Sequence, residues 1–419
     1  VERAGKRFDM YERVVQGDLP RAIVVGETGL DLRHGDMAWE TLCEVEGTGD
    51  FFLGDADHPT GILFSSGTTG DPKIIPWTQT APLKCAIDGH LLQDIHPGDV
   101  VVWPTNLGWM MGVWLIYASL LNGATMGLFS DAPTTPRFGH FVQNAKVTML
   151  GVVPTIVRSW RASKCMEGLN WSSIRLFSST GEASSADDMF YLSSLAGIKP
   201  IMEYCGGTEI AGAFISSTLL HPNVPGAFSA KAPGCDLYLL DHNGQPASAG
   251  EAFLVPPWMG MSTYLLNRDH HEVYYASCPR SPDGSILRRH GDVFQMVPGN
   301  LFVAGGRVDD TMNLGGVKVA SAEIEKVLNS MEEVSECAAV AGGGSNGGPD
   351  QLWVSVVLSG NAPEHREDDL RQKMNSRLAV DLNPIFKIRR LKVVSELPRN
   401  ASAKVVRKEI RKHFFSQFT

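Results

Sequence analysis

Hydrophobic and polar positions follow two successive patterns along this chain. Between about residues 60 and 210, short apolar runs are followed by longer amphipathic stretches, which predicts strands that alternate with helices. The predicted strands are 62–64, 99–103, 124–129, 147–153, 174–178 and 201–204, and the predicted helices are 78–92, 110–121, 138–144 and 154–161. Such alternation is typical of a mainly parallel sheet, in which ligands bind at the carboxyl ends of the strands.

From about residue 212 the apolar segments become short and are separated by turns, which predicts antiparallel β structure over 237–240, 252–255, 285–289 and 293–297. Beyond residue 310, a helix is predicted at 321–331, strands at 335–341 and 352–358, and a helix at 366–380. We therefore predict an α/β fold in three parts. These are a large domain (1–306) of parallel αβ layers plus a distorted antiparallel β region, a hinge (307–310) and a small α+β C-terminal domain (311–419).

The composition limits the possible classes of protein. A chain of 419 residues with 43% hydrophobic and 20% charged residues fits a globular protein of two or more domains. No apolar run reaches the about 18 residues of a membrane-spanning helix. The net charge of −9 argues against a general nucleic-acid binder. Seven cysteines without a C-x-x-C pair indicate reduced thiols and hence an intracellular protein.

The segment Gly61-Ile-Leu-Phe-Ser-Ser-Gly-Thr-Thr-Gly-Asp-Pro-Lys73 carries the strongest chemical signal. A strand end opens into hydroxyl and glycine residues, which can bring backbone and side-chain donors close to an anion. The candidate ligands of a polyphosphate are Ser65, Ser66, Gly67, Thr68, Thr69, Gly70 and Lys73. The spacing differs from the G-x-x-x-x-G-K-[ST] loop of the common NTPases, and the composition alone also permits an ordinary Ser/Gly-rich surface loop.

Together with later segments in the same order, this string closely resembles the adenylate-forming enzymes, the superfamily of acyl-CoA synthetases, adenylation domains and luciferases. The resemblance covers about residues 60–419 and is strongest to plant-type acyl-activating enzymes of the acetyl-CoA synthetase branch. It implies ATP, Mg²⁺ and coenzyme A as cofactors or co-substrates. Members of the superfamily carry a much longer segment before the phosphate loop, so the front part of the large domain is expected to be missing.

The segment Tyr204-Cys-Gly-Gly-Thr-Glu209 resembles the family's Y-G-x-T-E motif. In that family the threonine helps to hold the α-phosphate and the glutamate helps to bind Mg²⁺. The resemblance therefore implies catalytic roles for Thr208 and Glu209, with Glu209 as the metal ligand. It also implies nucleotide contacts at Glu203, Tyr204, Cys205, Gly206 and Gly207. A Thr-Glu pair by itself is more often an ordinary helix start.

Two motifs resemble the family's base and ribose contacts. Gly181-Glu182-Ala183 looks like the adenine-contacting G-E-P, with Ala183 in place of the proline. His290-Gly-Asp292 resembles T-G-D, whose aspartate binds both ribose hydroxyls, so that role is implied for Asp292. His290 replaces the usual threonine and is interpreted as a loop residue without a special role.

Two further motifs resemble the mobile part of the family. The block from Gly306 to Glu325 matches the hinge, which implies a nucleotide contact for Arg307, changing torsions at Asp309, an ATP contact for Lys318 and a coenzyme A tunnel at Gly315 and Gly316. Leu397-Pro-Arg-Asn-Ala-Ser-Ala-Lys404 resembles L-P-x-T-x-S-G-K, which implies that Lys404 is catalytic in adenylation. Asn400 and Ala403 depart from that pattern.

Two segments bear on the acid. Thr105-Asn-Leu-Gly-Trp109 and Leu266-Asn-Arg-Asp269 are similar to the acetyl-CoA synthetase branch, in which a tryptophan two residues before the motif threonine closes the acyl pocket. Here that position is Gly206. The sequence thus predicts an open pocket, with Trp109 as a further lining residue, and an acid larger than acetate.

The sequence therefore predicts an ATP-dependent acyl-CoA ligase that works through an acyl-adenylate. Two alternatives stay open: an adenylation domain that loads a carrier-protein thiol, and a non-catalytic nucleotide-binding relative. The predicted partners are a carboxylic acid, ATP and coenzyme A, without nucleic acid or a membrane span. The predicted compartment is the cytoplasm or the peroxisome, although the last residues do not match the S-K-L address.

Overall fold

In the computed structural model of the chain, the described residues are 2–3, 5–7, 9–17, 19–26, 31–47, 49–65, 72–314, 317–342, 350–360, 367–399 and 404–415. The first of them form small local elements: β1 (Glu2–Arg3), β2 (Lys6–Arg7), α1 (Met10–Gln16), β3 (Ile23–Val24), β4 (Met37–Ala38) and α2 (Trp39–Cys43). The Tyr11 hydroxyl joins α1 to the turn before β4, because it donates to Asp36 Oδ2 over 2.7 Å. Within the described ranges, no helix has both the length and the hydrophobicity to cross a bilayer.

An antiparallel pair of strands flanks the predicted phosphate loop. β5 (Pro59–Ser65) and β6 (Lys73–Thr78) pair with Ser65 opposite Lys73. Residues 66–71 lie outside the described residues, and with them the predicted ligands Ser66, Gly67, Thr68, Thr69 and Gly70. The pairing brings the two ends of that segment together, as an anion-binding turn requires.

A seven-stranded sheet with helices on both faces follows. Its elements are α3 (Thr80–Leu91), β7 (Val100–Val102), α4 (Met110–Leu120), β8 (Thr125–Gly127), α5 (Pro136–Asn144), β9 (Met149–Val152), α6 (Pro154–Ser163), β10 (Leu176–Ser179), α7 (Ala186–Leu195), β11 (Ile201–Gly207), β12 (Gly212–Ser216) and β13 (Ala230–Lys231). The strand order is β13-β12-β11-β10-β9-β7-β8. The five strands from β11 to β8 are parallel, which confirms the predicted parallel layer, whereas β12 and β13 are antiparallel additions.

Neighbouring residues on these strands point to opposite faces of the sheet, because side chains alternate along a strand. On β10, Leu176 packs with Trp114 of α4, whereas Phe177 packs with Trp160 of α6. Helices α3 and α4 therefore cover one face, and α5, α6 and α7 cover the other. Two buried cores thus lie between the sheet and its helices, one on each face.

The antiparallel region forms a separate four-stranded sheet. Its elements are β14 (Leu237–Leu240), β15 (Ala249–Leu254), α8 (His270–Tyr274), β16 (Arg288–Val297) and β17 (Leu301–Arg307), and its strand order is β14-β15-β16-β17. The separate strands predicted at 285–289 and 293–297 are corrected to one strand, β16. Gly291 continues that strand with a φ of +90°, which a side chain rarely adopts. In this sheet Asp292 lies directly opposite Arg307.

The C-terminal part has its own core. A 3-10 turn (Val308–Asp310) leads into β18 (Thr311–Leu314), β19 (Val317–Ala320), α9 (Ser321–Leu328), β20 (Val334–Gly342), β21 (Gln351–Leu358), α10 (Glu367–Asp381), β22 (Ile388–Val393) and α11 (Arg407–Phe415). Ile324 of α9 and Leu370, Met374 and Leu378 of α10 are fully buried against the sheet β20-β21-β22. This α+β unit agrees with the predicted small domain.

Candidate active site

Four elements of the large domain meet where β11 ends. The Trp77 indole of β6 donates to the Thr208 carbonyl over 2.7 Å, which joins the strand after the phosphate loop to the predicted catalytic turn. Cys205 Sγ lies 3.7 Å from Asp292 Oδ2 of β16. The described residues predicted for phosphate, metal and ribose contacts therefore lie in one region, at the carboxyl end of the parallel strands as expected for this architecture.

Glu209 is a carboxylate held among cations. Its Oε1 lies 3.7 Å from the Lys73 ammonium, and Arg288 Nη1 approaches its backbone carbonyl at 3.5 Å. Burial raises the pKa of the Glu209 carboxyl, but the charges of Lys73, His290 and Arg288 outweigh that effect and lower it to about 2. Nearby, the buried Ser65 hydroxyl has no hydrogen-bond partner among the described residues. The region thus offers an ionised carboxylate, as a hard cation requires, beside the ammonium of Lys73.

Two basic side chains contact the Asp292 carboxylate, one at each oxygen. His290 Nε2 lies 3.1 Å from Oδ2, and Arg307 Nη1 lies 3.1 Å from Oδ1. Burial raises the pKa of the Asp292 carboxyl, while His290 and Arg307 together lower it to about 2. The carboxylate is therefore an ionised acceptor, as binding of a sugar diol requires. His290 has a buried ring packed on Phe214, so the interpretation of it as a loop residue without a role is corrected.

Tyr204 and Cys205 point to opposite sides of β11. The Tyr204 ring is 2% exposed, packs on Trp114 in the core and donates its hydroxyl to Asp88 Oδ2 over 2.7 Å. Cys205 instead faces Asp292. Burial and that carboxylate raise the pKa of the Cys205 thiol well above its usual range. Both residues are predicted nucleotide contacts, and strand alternation turns the Cys205 side chain toward Asp292, whereas the Tyr204 side chain faces the core.

Glu203 lies behind the predicted adenine loop rather than in the site. Its carboxyl accepts hydrogen bonds from the Ser184 hydroxyl at 2.7 Å and from the Gly226 amide at 3.0 Å. Burial raises the pKa of the Glu203 carboxyl to about 7, although both hydrogen bonds oppose the rise. The Glu203 side chain therefore contacts the segment that follows Gly181-Glu182-Ala183, and its predicted nucleotide contact stays a prediction.

This burial predicts a pH-dependent stability difference for Glu203→Gln. The folded-state pKa of Glu203 lies above its ordinary value of 4.5, so ionisation destabilises the fold progressively as the pH rises from 4.5 to about 7. Glutamine cannot ionise and escapes that loss. We expect the stability of the variant relative to wild type to rise by on the order of 2 kcal/mol between pH 5 and pH 8, measured by urea unfolding. A difference that stays constant over this range contradicts the assignment.

Gly206 does not open a pocket. A Cβ atom at this position would lie 1.8 Å from the Gly212 carbonyl oxygen and 2.8 Å from the Ala213 Cα of β12. The register of the β11–β12 pair shifts between Cys205 and Gly206. The missing side chain therefore permits close backbone approach, and the reasoning that made Gly206 the floor of an enlarged acyl pocket is corrected.

Gly206→Ala is accordingly expected to destabilise the protein. The new methyl group cannot fit without separating β11 from β12, and overpacking of this kind costs about 1–3 kcal/mol. The measurement is the urea midpoint of the variant. Gly234→Ser provides a useful contrast, since a Cβ there meets nothing within 4 Å, although its φ of +75° carries strain of its own. An unchanged midpoint for Gly206→Ala would show that this close approach is not a constraint.

The small domain reaches the site through the segment before α11. Arg399 forms an ion pair with Glu336 of β20, and its Nη1 lies 3.9 Å from Oε1 of Glu182 in the predicted adenine loop. The charge of Lys404 is among those that oppose the raised pKa of the Cys205 thiol. Arg399 thus connects the small domain to the predicted adenine loop.

The predicted hinge is fastened at both ends. On one side, Arg307 contacts Asp292 and donates to the His290 carbonyl over 3.1 Å. On the other side, Asp310 contacts Arg407 of α11 at 3.2 Å, and its carbonyl accepts from the Ser321 hydroxyl at 2.9 Å. Only Val308 and Asp309 lie between these anchors, and the pivot at Asp309 stays a prediction.

The remaining predicted residues are less well placed. Lys318 contributes its backbone to β19, but its side chain is not described, and Gly315 and Gly316 lie outside the described residues. Trp109 immediately precedes α4 and is partly buried. Sequence reasoning gave no role to Arg288, which is fully buried and stacks 4.1 Å from the Tyr274 ring. It begins a strand that is only partly buried, so no local pattern marks it as the buried residue.

Comparisons with known proteins agree with this arrangement. The profile of the AMP-binding enzyme family matches residues 19–253, and that of the AMP-binding enzyme C-terminal domain matches residues 323–404. The chain is 47% identical over 430 residues to hexanoyl-CoA synthase from Cannabis sativa and 46% identical over 429 residues to probable acyl-activating enzyme 17, peroxisomal, from Arabidopsis thaliana.

These alignments cover 99% and 98% of this chain but 60% and 59% of the two relatives, so the chain spans about three fifths of their length. Among solved structures, acetoacetyl-CoA synthetase from Streptomyces lividans matches with a TM-score of 0.85 at 25% identity, over 100% of this chain and 65% of that chain. The profiles, the sequence identities and the shared fold lead to one conclusion: the chain belongs to the AMP-binding enzyme family.

Proposed function

We propose that this protein is an ATP-dependent acyl-CoA ligase. In the first step, a carboxylate oxygen of the acid attacks the α-phosphorus of Mg·ATP, the bond to the β-phosphate breaks, and pyrophosphate leaves. In the second step, the sulfur of coenzyme A attacks the acyl carbonyl, and AMP leaves. The observation that carries the proposal is the convergence of the Lys73–Glu209 pair and the Asp292–Arg307 pair at the end of β11.

The roles follow from the charge and position of each group. Lys73 supplies a cation next to the phosphate-loop segment, and Glu209 supplies the ionised oxygen that would ligate the magnesium ion of the substrate. Asp292 would accept hydrogen bonds from the ribose hydroxyls. Lys404 would stabilise negative charge that develops during adenylation, because a preorganised cation at such a place can be a large catalytic term.

We infer an acid larger than acetate. The support is now the similarity at 47% identity to a protein named hexanoyl-CoA synthase, since Gly206 does not enlarge the pocket. We also propose a cytoplasmic or peroxisomal enzyme, and the name of the Arabidopsis relative favours the second compartment. Hexanoate is therefore the acid of choice for a first assay, with acetate beside it.

Exchange of radioactive pyrophosphate into ATP, measured with hexanoate and the full-length protein, tests this function. Lys73→Ala should weaken ATP binding or lower the exchange rate a few tenfold, because charge-assisted hydrogen bonds contribute about 1.5–3 kcal/mol. The matched control is Lys231→Ala, a half-exposed lysine on β13 that pairs with Asp236. Absence of exchange in the wild type, or equal rates for wild type and Lys73→Ala, would overturn the proposal.

A further inference from the structure

One short segment, residues 266–274, contacts Lys73 and both of its chain neighbours. Its first contact is with the backbone. The Asn267 carboxamide donates to the Pro72 carbonyl over 2.9 Å and accepts from the Ile74 amide over 3.0 Å. The Leu266 amide adds a bond to the Ile74 carbonyl at 3.0 Å. A single distant side chain thus brackets Lys73 on both sides, at the point where β6 leaves the phosphate-loop segment.

The second contact is with the ammonium group. Lys73 Nζ lies 4.7 Å from the centroid of the Tyr274 ring. Tyr274 is 4% exposed, and the guanidinium carbon of Arg288 also lies 4.1 Å from the ring centroid. Tyr274 ends α8, whose first turn is capped because Asp269 accepts from the Glu272 amide at 2.7 Å. The same short segment therefore carries both Asn267 and Tyr274, and a capped helix holds the second of them.

These contacts restrict a side chain that is otherwise flexible. A lysine carries its charge on a four-carbon stem, and fixing it beforehand removes an entropic cost when an anion arrives. The backbone bracket fixes where the stem starts, and the aromatic ring together with Glu209, 3.7 Å away, fixes where the ammonium ends. Neither Asn267 nor Tyr274 needs to touch the phosphates for this effect.

We propose that Asn267 and Tyr274 are positioning residues that hold Lys73 for the β- and γ-phosphates of ATP, an inference that rests on the proposed function. This role differs from that of residues that only stabilise the fold. A positioning residue should affect ligands with a polyphosphate and spare AMP, and it should act only while Lys73 is present.

The test is a double-mutant cycle in the full-length protein, with the dissociation constants of ATP and AMP measured by calorimetry. Asn267→Ala should weaken ATP binding about tenfold, equivalent to about 1.4 kcal/mol, and change AMP binding less than about twofold. In a Lys73→Ala background, the same substitution should change ATP binding less than about twofold. Tyr274→Leu should weaken ATP binding as Asn267→Ala does. Tyr274→Phe keeps the ring and should bind ATP with close to the wild-type affinity.

Asn223 provides a matched control, because its carboxamide makes the same pair of backbone bonds elsewhere. It donates to the Ile201 carbonyl at 2.6 Å and accepts from the Ile201 amide at 3.0 Å. Asn223→Ala should cost stability but keep the wild-type ratio of ATP to AMP affinity. The control thus measures what two lost backbone bonds do without any link to Lys73.

Three results would overturn the inference. Equal losses for ATP and AMP in Asn267→Ala would mean a structural role only. Additive losses in the double variant would mean that Asn267 does not act through Lys73. Unaltered ATP binding in Lys73→Ala itself would instead refute the phosphate role in the proposed function, and the inference would fail with it. If Asn267→Ala does not fold, the comparison of Tyr274→Leu with Tyr274→Phe decides, and equal ATP affinities of those two variants contradict the inference.

Discussion

Replacing Lys404 with alanine should slow formation of the acyl-adenylate by about 10²–10³-fold, the loss typical of one preorganised group at developing charge. The surroundings of the residue agree with a role at the site. Lys404 belongs to the small domain, yet its charge reaches the Cys205 thiol at the end of β11, next to Asp292. The rate is measured by pyrophosphate exchange with hexanoate.

A comparison with the second half-reaction, thioester formation, tests whether Lys404 acts only in adenylation. When chemically prepared acyl-adenylate is supplied, Lys404→Ala should still form the thioester at close to the wild-type rate, because the lysine serves the attack on ATP. Lys408→Ala, an exposed lysine in the first turn of α11, is the control and should leave both steps unchanged. Equal losses in both half-reactions would show that Lys404 acts on the fold or on both steps.

Replacing Arg407 with methionine should lower the free energy of unfolding by about 3 kcal/mol, because breaking a buried ion pair leaves one charge without its partner. Arg407 Nη2 lies 2.8 Å from both carboxylate oxygens of Glu325, and Oε1 also accepts from the Ala339 amide at 2.8 Å. We choose the lower end of the usual range, since 21% of the Arg407 side chain stays exposed.

The pH dependence identifies the group responsible. Burial raises the pKa of the Glu325 carboxyl, and Arg407 opposes the rise. Without that cation the folded-state pKa of Glu325 moves further above the ordinary value of 4.5. The loss of unfolding free energy in Arg407→Met should therefore be largest at neutral pH and become smaller as the pH falls. Glu325→Gln combined with Arg407→Met should recover part of the loss. Arg371→Met, which removes an exposed pair with Asp368, should cost less than about 1 kcal/mol.

The parallel sheet and the location of the site were predictable because both depend on local signals. Apolar runs predict the strands, and glycine- and hydroxyl-rich turns at the ends of those strands predict where the site lies. The places where prediction failed depend on a one-residue register or on distant contacts. Along β11, alternation turns Tyr204 to the core and Cys205 toward Asp292, a difference that the motif alone does not reveal. Gly206 is required by the carbonyl of β12, which no local pattern reveals.

Long-range bonds were the second source of failure. Asn267 and Ile74 are 193 positions apart in the sequence, so no local sequence pattern predicts their contact. Arg288 is buried because Ser262, Tyr274 and the Glu209 carbonyl surround it, again from distant segments. Such residues become visible only once the fold has placed their partners.

The bridge made by Arg399 makes the interface sensitive to ionic strength. Any displacement that carries Lys404 away from β11 also moves Arg399 from Glu182, whereas Glu336 travels with it on the same domain. The interdomain contact is partly exposed, so dissolved ions, whose screening length is about 8 Å at physiological salt, compete with it directly. Added salt should therefore favour separated domains without weakening the apolar core of either one.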